Sequence, residues 1–313
     1  MSDISKDMFT EVSTPAPTAP LQFERVSKYF DDHRALDAAT LAVPLGSVTG
    51  LLGSNGAGKS TLIKSAVGLI KPNSGRVTTL GRHAWDLDAD AKSRLGYVPQ
   101  AIELHGWMRV RHLLDYTAGF YPRWNDALAR SLLASWDVPG DRKVKTLSPG
   151  TLQKLAIILS LAHEPELLIL DEPASALDPA ARRQFLATLL DLSSDAATTD
   201  RPRTILFSTH ITSDLERVAD RVALMRDGRV VFDNDLDALK DAVKRLHVTA
   251  DRPLAPDFDL PGRLRRRIAG HEALVSVRSA TPDLLESIQR QHSASVRVED
   301  LSLEDIFLEM QHA

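Results

Sequence analysis

The chain contains no cysteine. Disulfides, thiolate metal sites and a cysteine nucleophile are therefore excluded, and the absence fits a reducing compartment. Long apolar runs are also missing. A membrane helix needs about 18 apolar residues in succession, and the longest candidate, Leu155 to Ala162, falls far short and reads as a buried helix. The N-terminus lacks the basic-then-apolar pattern of a signal peptide. The expectation is a chain that stays inside the cell and does not span a bilayer. A formal charge of −4 over 313 residues gives no general attraction to nucleic acid or to an anionic membrane. The 10 histidines show no H-E-x-x-H or comparable spacing, which argues against a metal hydrolase. What remains is an ordinary globular balance, 43% hydrophobic and 26% charged. The length allows a large core and more than one domain.

The most informative stretch is Gly53, Ser54, Asn55, Gly56, Ala57, Gly58, Lys59, Ser60 and Thr61, directly after the apolar run Val48 to Leu52. This is a phosphate-binding loop, G-x-x-x-x-G-K-[ST], between a predicted strand and a predicted helix. The glycines let the backbone turn tightly, so that successive N–H groups point at phosphate oxygens. Lys59 adds a mobile positive charge for the outer phosphates. Ser60 puts a hydroxyl where Mg²⁺ would sit, and the following helix directs its positive end at the anion.

Residues 1 to 20 are polar, with Pro15, Pro17 and Pro20 among Thr and Ala, and read as a disordered tail. Alternation over Leu21–Val26 and Thr40–Val43 predicts a small β-rich entry region. Thr61 to Leu69 has helical spacing and ends at the turn signal Lys71-Pro72-Asn73-Ser74-Gly75. Residues 101 to about 165 read as a helical insertion, with segments around Arg111–Phe120 and Asp126–Trp136 and a further helix after Ser148. Leu167–Leu170 and Thr204–Phe207 are short continuous apolar runs of the kind found in buried parallel strands. Val222–Met225, Asp227-Gly228 and Val230–Phe232 predict a hairpin. From about residue 240 a small α+β domain follows, with strands Arg245–Thr249, Ala273–Arg278 and Ser295–Val298. It also has helices Pro282–Gln291 and Leu303–Met310, and a looped Pro253–Pro261.

In an open parallel sheet, ligands bind beyond the carboxyl ends of the strands. Three predicted buried strands run straight into polar groups: Leu51-Leu52 into Gly53, Leu170 into Asp171-Glu172, and Phe207 into Ser208-Thr209-His210. Taken singly, Asp171-Glu172-Pro173 is a solvated turn and His210 a hydrogen-bonded rim histidine. Together they converge on the mouth of one sheet. Mg²⁺ favours oxygen ligands and keeps waters while bridging phosphates. Ser60 can supply the direct hydroxyl and Asp171 a charged, water-mediated contact. Glu172 is placed to polarise an attacking water, and His210 to sense or orient the outermost phosphate. Phosphoryl transfer needs little beyond such positioning and charge stabilisation.

Leu147-Ser148-Pro149-Gly150-Thr151, taken with the phosphate loop, Tyr97-Val98-Pro99-Gln100, Leu167–Pro173, Ser175-Ala176-Leu177-Asp178 and His210, resembles the ATP-binding subunits of ABC transporters. The match covers about residues 21 to 235, with the motifs in family order. The resemblance implies an α/β fold, with a P-loop NTPase parallel-sheet core, an N-terminal antiparallel β region and an inserted helical subdomain. The ATPase domain would span 21–239, followed by the α+β domain at 240–313. It implies ATP and Mg²⁺ as ligands, with Gln100 as the loop glutamine linking the metal site to the helical insertion. Phe30 falls where the family stacks an aromatic ring on adenine, with adjacent Tyr29 as its rival and a core-packing role open for either. Ser175 to Asp178 fall at a loop that communicates between two subunits. Ser148 and the Gly150 N–H would reach the nucleotide of a second subunit.

The signature departs from Leu-Ser-Gly-Gly-Gln: Pro149 replaces the first Gly and Thr151 the Gln. Ser148 can still cap the helix with Pro149 at its first position, and the lost Gln side chain implies slower or partner-dependent hydrolysis. Phe120-Tyr121-Pro122-Arg123-Trp124-Asn125 and the ending Ser302 to Glu309 resemble bacterial ABC-2-type, exporter-like subunits of the YtrB-like subgroup; an aromatic packing turn and an amphipathic terminal helix are the plainer reading. The implied function is a Mg-dependent ATPase subunit paired with a second copy or a paralogous ATPase. It would sit on the inner face of the cell membrane and power a separate ABC-2-type permease, with no nucleic acid expected. The alternative is a soluble ABC ATPase acting on a ribosome or nucleic acid. The one feature favouring it is the cluster Arg263, Arg265, Arg266 and Arg267, which otherwise reads as a solvated, carboxylate-paired strand face. The C-terminal domain carries no catalytic signature.

Overall fold

The computed structural model describes residues 19–194 and 202–311. Most of the stretch read as a tail lies outside these residues. Its last two residues belong to the fold: Ala19 is buried, and the Pro20 carbonyl accepts a bond from the Leu80 N–H at 2.7 Å. The chain divides between Asn234 and Asp235 into two compact units.

The first unit opens with strands β1 (Leu21–Phe30), β2 (His33–Val43) and β3 (Val48–Leu52), then helix α1 (Lys59–Ala66). Strands β4 (Ser74–Thr79) and β5 (Arg82–His83), helix α2 (Ala89–Ser93) and strand β6 (Leu95–Val98) follow. Helices α3 (Val110–Ala118), α4 (Asp126–Ser135) and α5 (Pro149–Leu161) come next, with no strand between them. The unit continues with β7 (Leu167–Leu170), α6 (Pro179–Ser194), β8 (Thr204–Thr209), α7 (Thr212–Val218), β9 (Arg221–Arg226) and β10 (Arg229–Asp235). One sheet is antiparallel, in the order β2-β1-β4-β5, and the other has six strands in the order β10-β9-β3-β8-β7-β6. Pairing within β9-β3-β8-β7-β6 is parallel. This is an α/β P-loop architecture with an antiparallel entry region.

The central strands are apolar on both faces because both faces are covered; all residues of β3, β7 and β8 are buried. Helix α1 brings Leu62, Ile63 and Ala66, each 0% exposed, into one core cluster with Leu21 and Phe23 of β1, Leu41 of β2, and Ile169, Leu206 and Met225 of the large sheet. Burying such side chains stabilises by roughly 1.5–3 kcal/mol each, so the loop ahead of α1 is anchored on a rigid base. At the β9–β10 hairpin, Asp227 and Gly228 both have positive φ, 49° and 76°, as a two-residue type I′ turn requires. The Gly228 N–H donates to the Ala57 carbonyl at 3.0 Å, so the turn braces the phosphate loop. Strands β4 and β6 carried no clear sequence signal: Ser-Gly-Arg-Val-Thr-Thr has one strongly apolar side chain, and β4 is held by its ladder to β1.

The second unit comprises α8 (Leu236–Ala242), β11 (Val243–Ala250), β12 (Arg263–Ala269), β13 (Glu272–Arg278), α9 (Pro282–His292), β14 (Ala294–Asp300) and α10 (Leu303–Gln311). Its antiparallel sheet runs β12-β13-β11-β14. Leu246, Val248, Val275, Val277 and Ile288 form its core with Leu254, Phe258 and Leu260 from the Pro-rich loop. The arginine cluster lies on β12. Arg263 pairs with Asp259 at 2.8 Å and Arg266 donates to the Phe258 carbonyl at 2.6 Å, while Arg265 and Arg267 are exposed.

Candidate functional site

The loop between β3 and α1 turns at Gly56 and Gly58, both with positive φ. Gly58 has φ 101°, and a Cβ there would lie 2.5 Å from the Ala35 carbonyl oxygen; glycine is required on both counts. A cavity of about 360 Å³ opens above the loop, lined by Phe30, His33, Ala35, Asn55, Gly56, Gly58, Lys59, Ser60, Thr61, Gln100 and Glu172. The Lys59 ammonium is 5% exposed and folds back on the loop. It donates to the Gly53 carbonyl at 2.9 Å and the Ser54 carbonyl at 3.2 Å, and stands 3.5 Å from Glu172 Oε1. Ala57 is buried within the turn.

The second strand end supplies the carboxylates. Asp171 is wholly buried; its Oδ1 accepts the Ser208 hydroxyl at 2.8 Å, while Oδ2 is buried without a partner. Glu172 sits next, with φ 49°, a left-handed conformation that costs a non-glycine residue about 1–3 kcal/mol and tends to be kept at functional positions. Its N–H donates to Ser208 Oγ at 2.9 Å. The third strand end closes the group: His210 Nδ1 lies 3.2 Å from Glu172 Oε2. The two oxygens of Glu172 are thus shared between an ammonium and an imidazole. Tyr97 stands nearby on β6, its hydroxyl buried without a partner; burial, and then the Asp171 charge, push its pKa up to about 12.

Phe30 lines the cavity and is 44% exposed, with the Lys28 ammonium 5.1 Å from its ring centroid. Tyr29 is equally exposed but is not among the lining residues. Gln100 lines the cavity from the end of β6. Ser148, Gly150 and Asp178 lie outside it. Ser148 caps α5, accepting the Thr151 N–H at 3.2 Å and meeting the Thr151 hydroxyl at 2.8 Å, with Pro149 in the first turn. Asp178 is exposed and caps α6, accepting from Ala180 and Ala181 at 2.9 and 3.0 Å. These amide bonds hold its carboxyl below the usual range.

Among the described residues no group of three or more His, Cys, Asp or Glu could hold a metal ion unaided. The set fits Mg²⁺ only as an ion shared with phosphate oxygens: Ser60 brings a hydroxyl, Gln100 a side-chain amide, and the free Asp171 Oδ2 a buried acceptor. Sequence reasoning named Ser208 and Tyr97 without giving either a role, and did not name His33 or Ala35. Ser208 stood in the strand-end run but had no motif of its own, and His33 and Ala35 reach the cavity through the β1–β2 hairpin, whose geometry has no local signature.

Residues 36–175 match the family model described as ABC transporter. The chain is 34% identical over 228 residues to the Nod factor export ATP-binding protein I of Burkholderia lata, covering 71% of this chain and 73% of that protein. It is 32% identical over 209 residues to the uncharacterized ABC transporter ATP-binding protein sll0415 of Synechocystis, covering 64% of this chain but 57% of that protein. It is 29% identical over 308 residues to the uncharacterized ABC transporter ATP-binding protein YhaQ of Bacillus subtilis, covering 92% and 97%. A solved ATP-binding subunit of an ABC transporter superposes with TM-score 0.63 at 28% identity, over 71% of this chain and 92% of that one. The dimeric bacterial ABC transporter cassette MJ0796 shares the fold with TM-score 0.61 at 24% identity, over 69% and 98%. The chain belongs to the ABC transporter ATP-binding family.

Proposed function

We propose that this chain is the ATP-hydrolysing subunit of an exporter of the ABC-2 type, YtrB-like, working with a separate membrane-spanning permease. The observation that carries the catalytic part is the convergence of Lys59 and His210 on the two oxygens of Glu172 at the mouth of the phosphate loop. Adenine would stack on Phe30, and the phosphates would take the loop amides and Lys59. Glu172 would accept the proton of the attacking water, with His210 holding that carboxylate in place. Bound Mg²⁺, held by Ser60, Gln100 and Asp171, would supply charge neutralisation for the phosphate oxygens.

Ser148, Gly150 and Asp178 lie outside this cavity, and the reading gives them to the partner's nucleotide in a head-to-tail pair. Two-fold symmetry then makes two equal composite sites. The export reading draws on the Nod factor export relative, and a separate permease is needed because no helix among the described residues is long and apolar enough to cross a membrane. In that assembly the chain lies against the inner face of the cell membrane.

The test is Glu172→Gln. A general base contributes about 10²- to 10⁴-fold, so turnover should fall by at least 100-fold while ATP binding persists and dimers accumulate with ATP. Turnover at the parent rate would remove Glu172 from that role. Recovery of a multi-span protein with the chain from solubilised membranes tests the coupling.

A further inference from the structure

A hydroxyl carries one proton and two lone pairs, and Ser208 uses both kinds of group on two consecutive residues, the Asp171 carboxylate and the Glu172 backbone amide. Its proton goes to Asp171 Oδ1 at 2.8 Å, and its oxygen accepts the Glu172 N–H at 2.9 Å. Ser208 and Asp171 are both 0% exposed, so no solvent is at hand to replace either bond. The strand register explains why a side chain is needed. Pairing of β7 with β8 ends at Leu170 opposite Phe207, and the next amide, that of Asp171, turns the other way to the Val98 carbonyl at 2.9 Å. The Glu172 amide is therefore left without a backbone partner, in a residue whose φ of 49° already departs from the extended path.

We infer that Ser208 is a positioning residue of the hydrolytic site, giving the adjacent carboxylates separate tasks. By occupying Oδ1 it fixes the rotation of Asp171 and leaves Oδ2, itself buried, as the one oxygen of that carboxylate without a partner. By holding the Glu172 amide it keeps that backbone in the conformation from which the carboxylate reaches Lys59 and His210. The inference deepens the ATP-hydrolysing reading above and rests on it.

The test compares Ser208→Thr with Ser208→Val in the full chain, since the two side chains share a shape and differ in the hydroxyl. Steady-state ATP hydrolysis gives kcat and KM. Equilibrium ATP binding with Mg²⁺ and with EDTA gives the gain in affinity that the metal brings, independently of turnover. Loss of a group that orients a metal-site residue typically costs about 10- to 100-fold. The Val protein should therefore show kcat lowered by that factor against Thr, with KM little moved, and a Mg²⁺-dependent gain reduced about tenfold. Equal kcat and equal Mg²⁺ gain in the two variants would overturn the inference, as would equal losses in both, because the hydroxyl would then not be the cause. Should circular dichroism show the Val protein unfolded, Ser208→Ala takes its place with the same expectations. If the parent chain fails to hydrolyse ATP, the functional reading falls, and the Mg²⁺-dependent gain still decides for or against Ser208.

Discussion

Each of the two units gathers charge at one point, and the two gatherings are finished differently. In the C-terminal unit Arg245 is ringed by Glu309 at 2.7 Å, Glu299 at 3.5 Å and Asp305 at 4.0 Å, and His247 takes Glu299 at 2.5 Å. One guanidinium is shared among three carboxylates, and although Glu309 Oε2 is buried without a partner, the cation itself is paired by acidic side chains. At the mouth of the parallel sheet, Asp171 is buried against the neutral Ser208 hydroxyl with one oxygen unpartnered. Lys59 is held by two backbone carbonyls that cannot neutralise it, and shares Glu172 with His210. A buried cation held mainly by neutral carbonyls is costly, and it marks a place where an anionic ligand completes the arrangement. Cavity size teaches less: the C-terminal unit holds the larger hollow, about 750 Å³, against about 360 Å³ above the phosphate loop.

The largest effect that would sharpen this contrast comes from the two cations. Lys59→Met should lower ATP affinity by 100-fold or more, because the outer phosphates lose a charged, buried donor. The same change at Arg245 should leave ATP affinity within about twofold. It should instead cost roughly 1–3 kcal/mol of stability, discounted for partial exposure, by stranding Glu309. Isothermal titration and urea unfolding read the two quantities. If Arg245→Met weakened ATP binding as much as Lys59→Met, the division into a ligand-binding and a structural cluster would be wrong.

A smaller effect concerns the two exposed aromatics at the end of β1. Stacking on a base is worth about 1–3 kcal/mol, so Phe30→Ala should weaken ATP about 5- to 150-fold. Tyr29→Ala should do little, since Tyr29 meets the rest of the fold through its backbone, its N–H donating to Asn73 at 2.9 Å. The reverse ranking would make Tyr29 the platform.

These residues also show how far the sequence could be read. Gly53 to Thr61, Asp171, Glu172 and His210 could be singled out because each follows a short continuous apolar run, and a run of four or five such residues bounded by polar groups suits a covered strand. The parallel sheet, the buried α5 with Ser148 as its cap and the Asp-Gly hairpin were legible for similar local reasons. Ser208 was not, because its role is a pair of hydrogen bonds to residues 36 and 37 positions away. The choice between Phe30 and Tyr29 was left open because the bulges that pair β1 with β2 decide which side chain faces the cavity. Strand β12 was read only as the strand face of the arginine cluster, without bounds, because four arginines in five positions hide the two apolar side chains, Leu264 and Ile268, that face inward.

A third polar arrangement tests the comparison most gently, because burial there disfavours charge altogether. His163 follows α5, is 2% exposed, and stacks on Tyr121 with ring centroids 4.0 Å apart. Its Nε2 meets the Leu95 carbonyl at 3.2 Å, which joins the insertion's aromatic turn to the edge strand β6. Burial lowers its pKa from the ordinary value of 6.5, since an imidazolium there would lose its hydration. The folded state therefore favours the neutral ring. Its contribution is complete above about pH 6.5, where the unfolded chain is neutral as well. As pH falls below that, the unfolded state takes up a proton the folded state resists, and stability declines until the depressed folded value is passed. Melting temperatures at pH 7.5 and pH 5.0 should differ more in the parent than in His163→Phe, which keeps the stack and removes the titration. Identical pH slopes in the two proteins would show that the ring is protonated as readily inside the fold as outside it, and that burial there does not disfavour its charge.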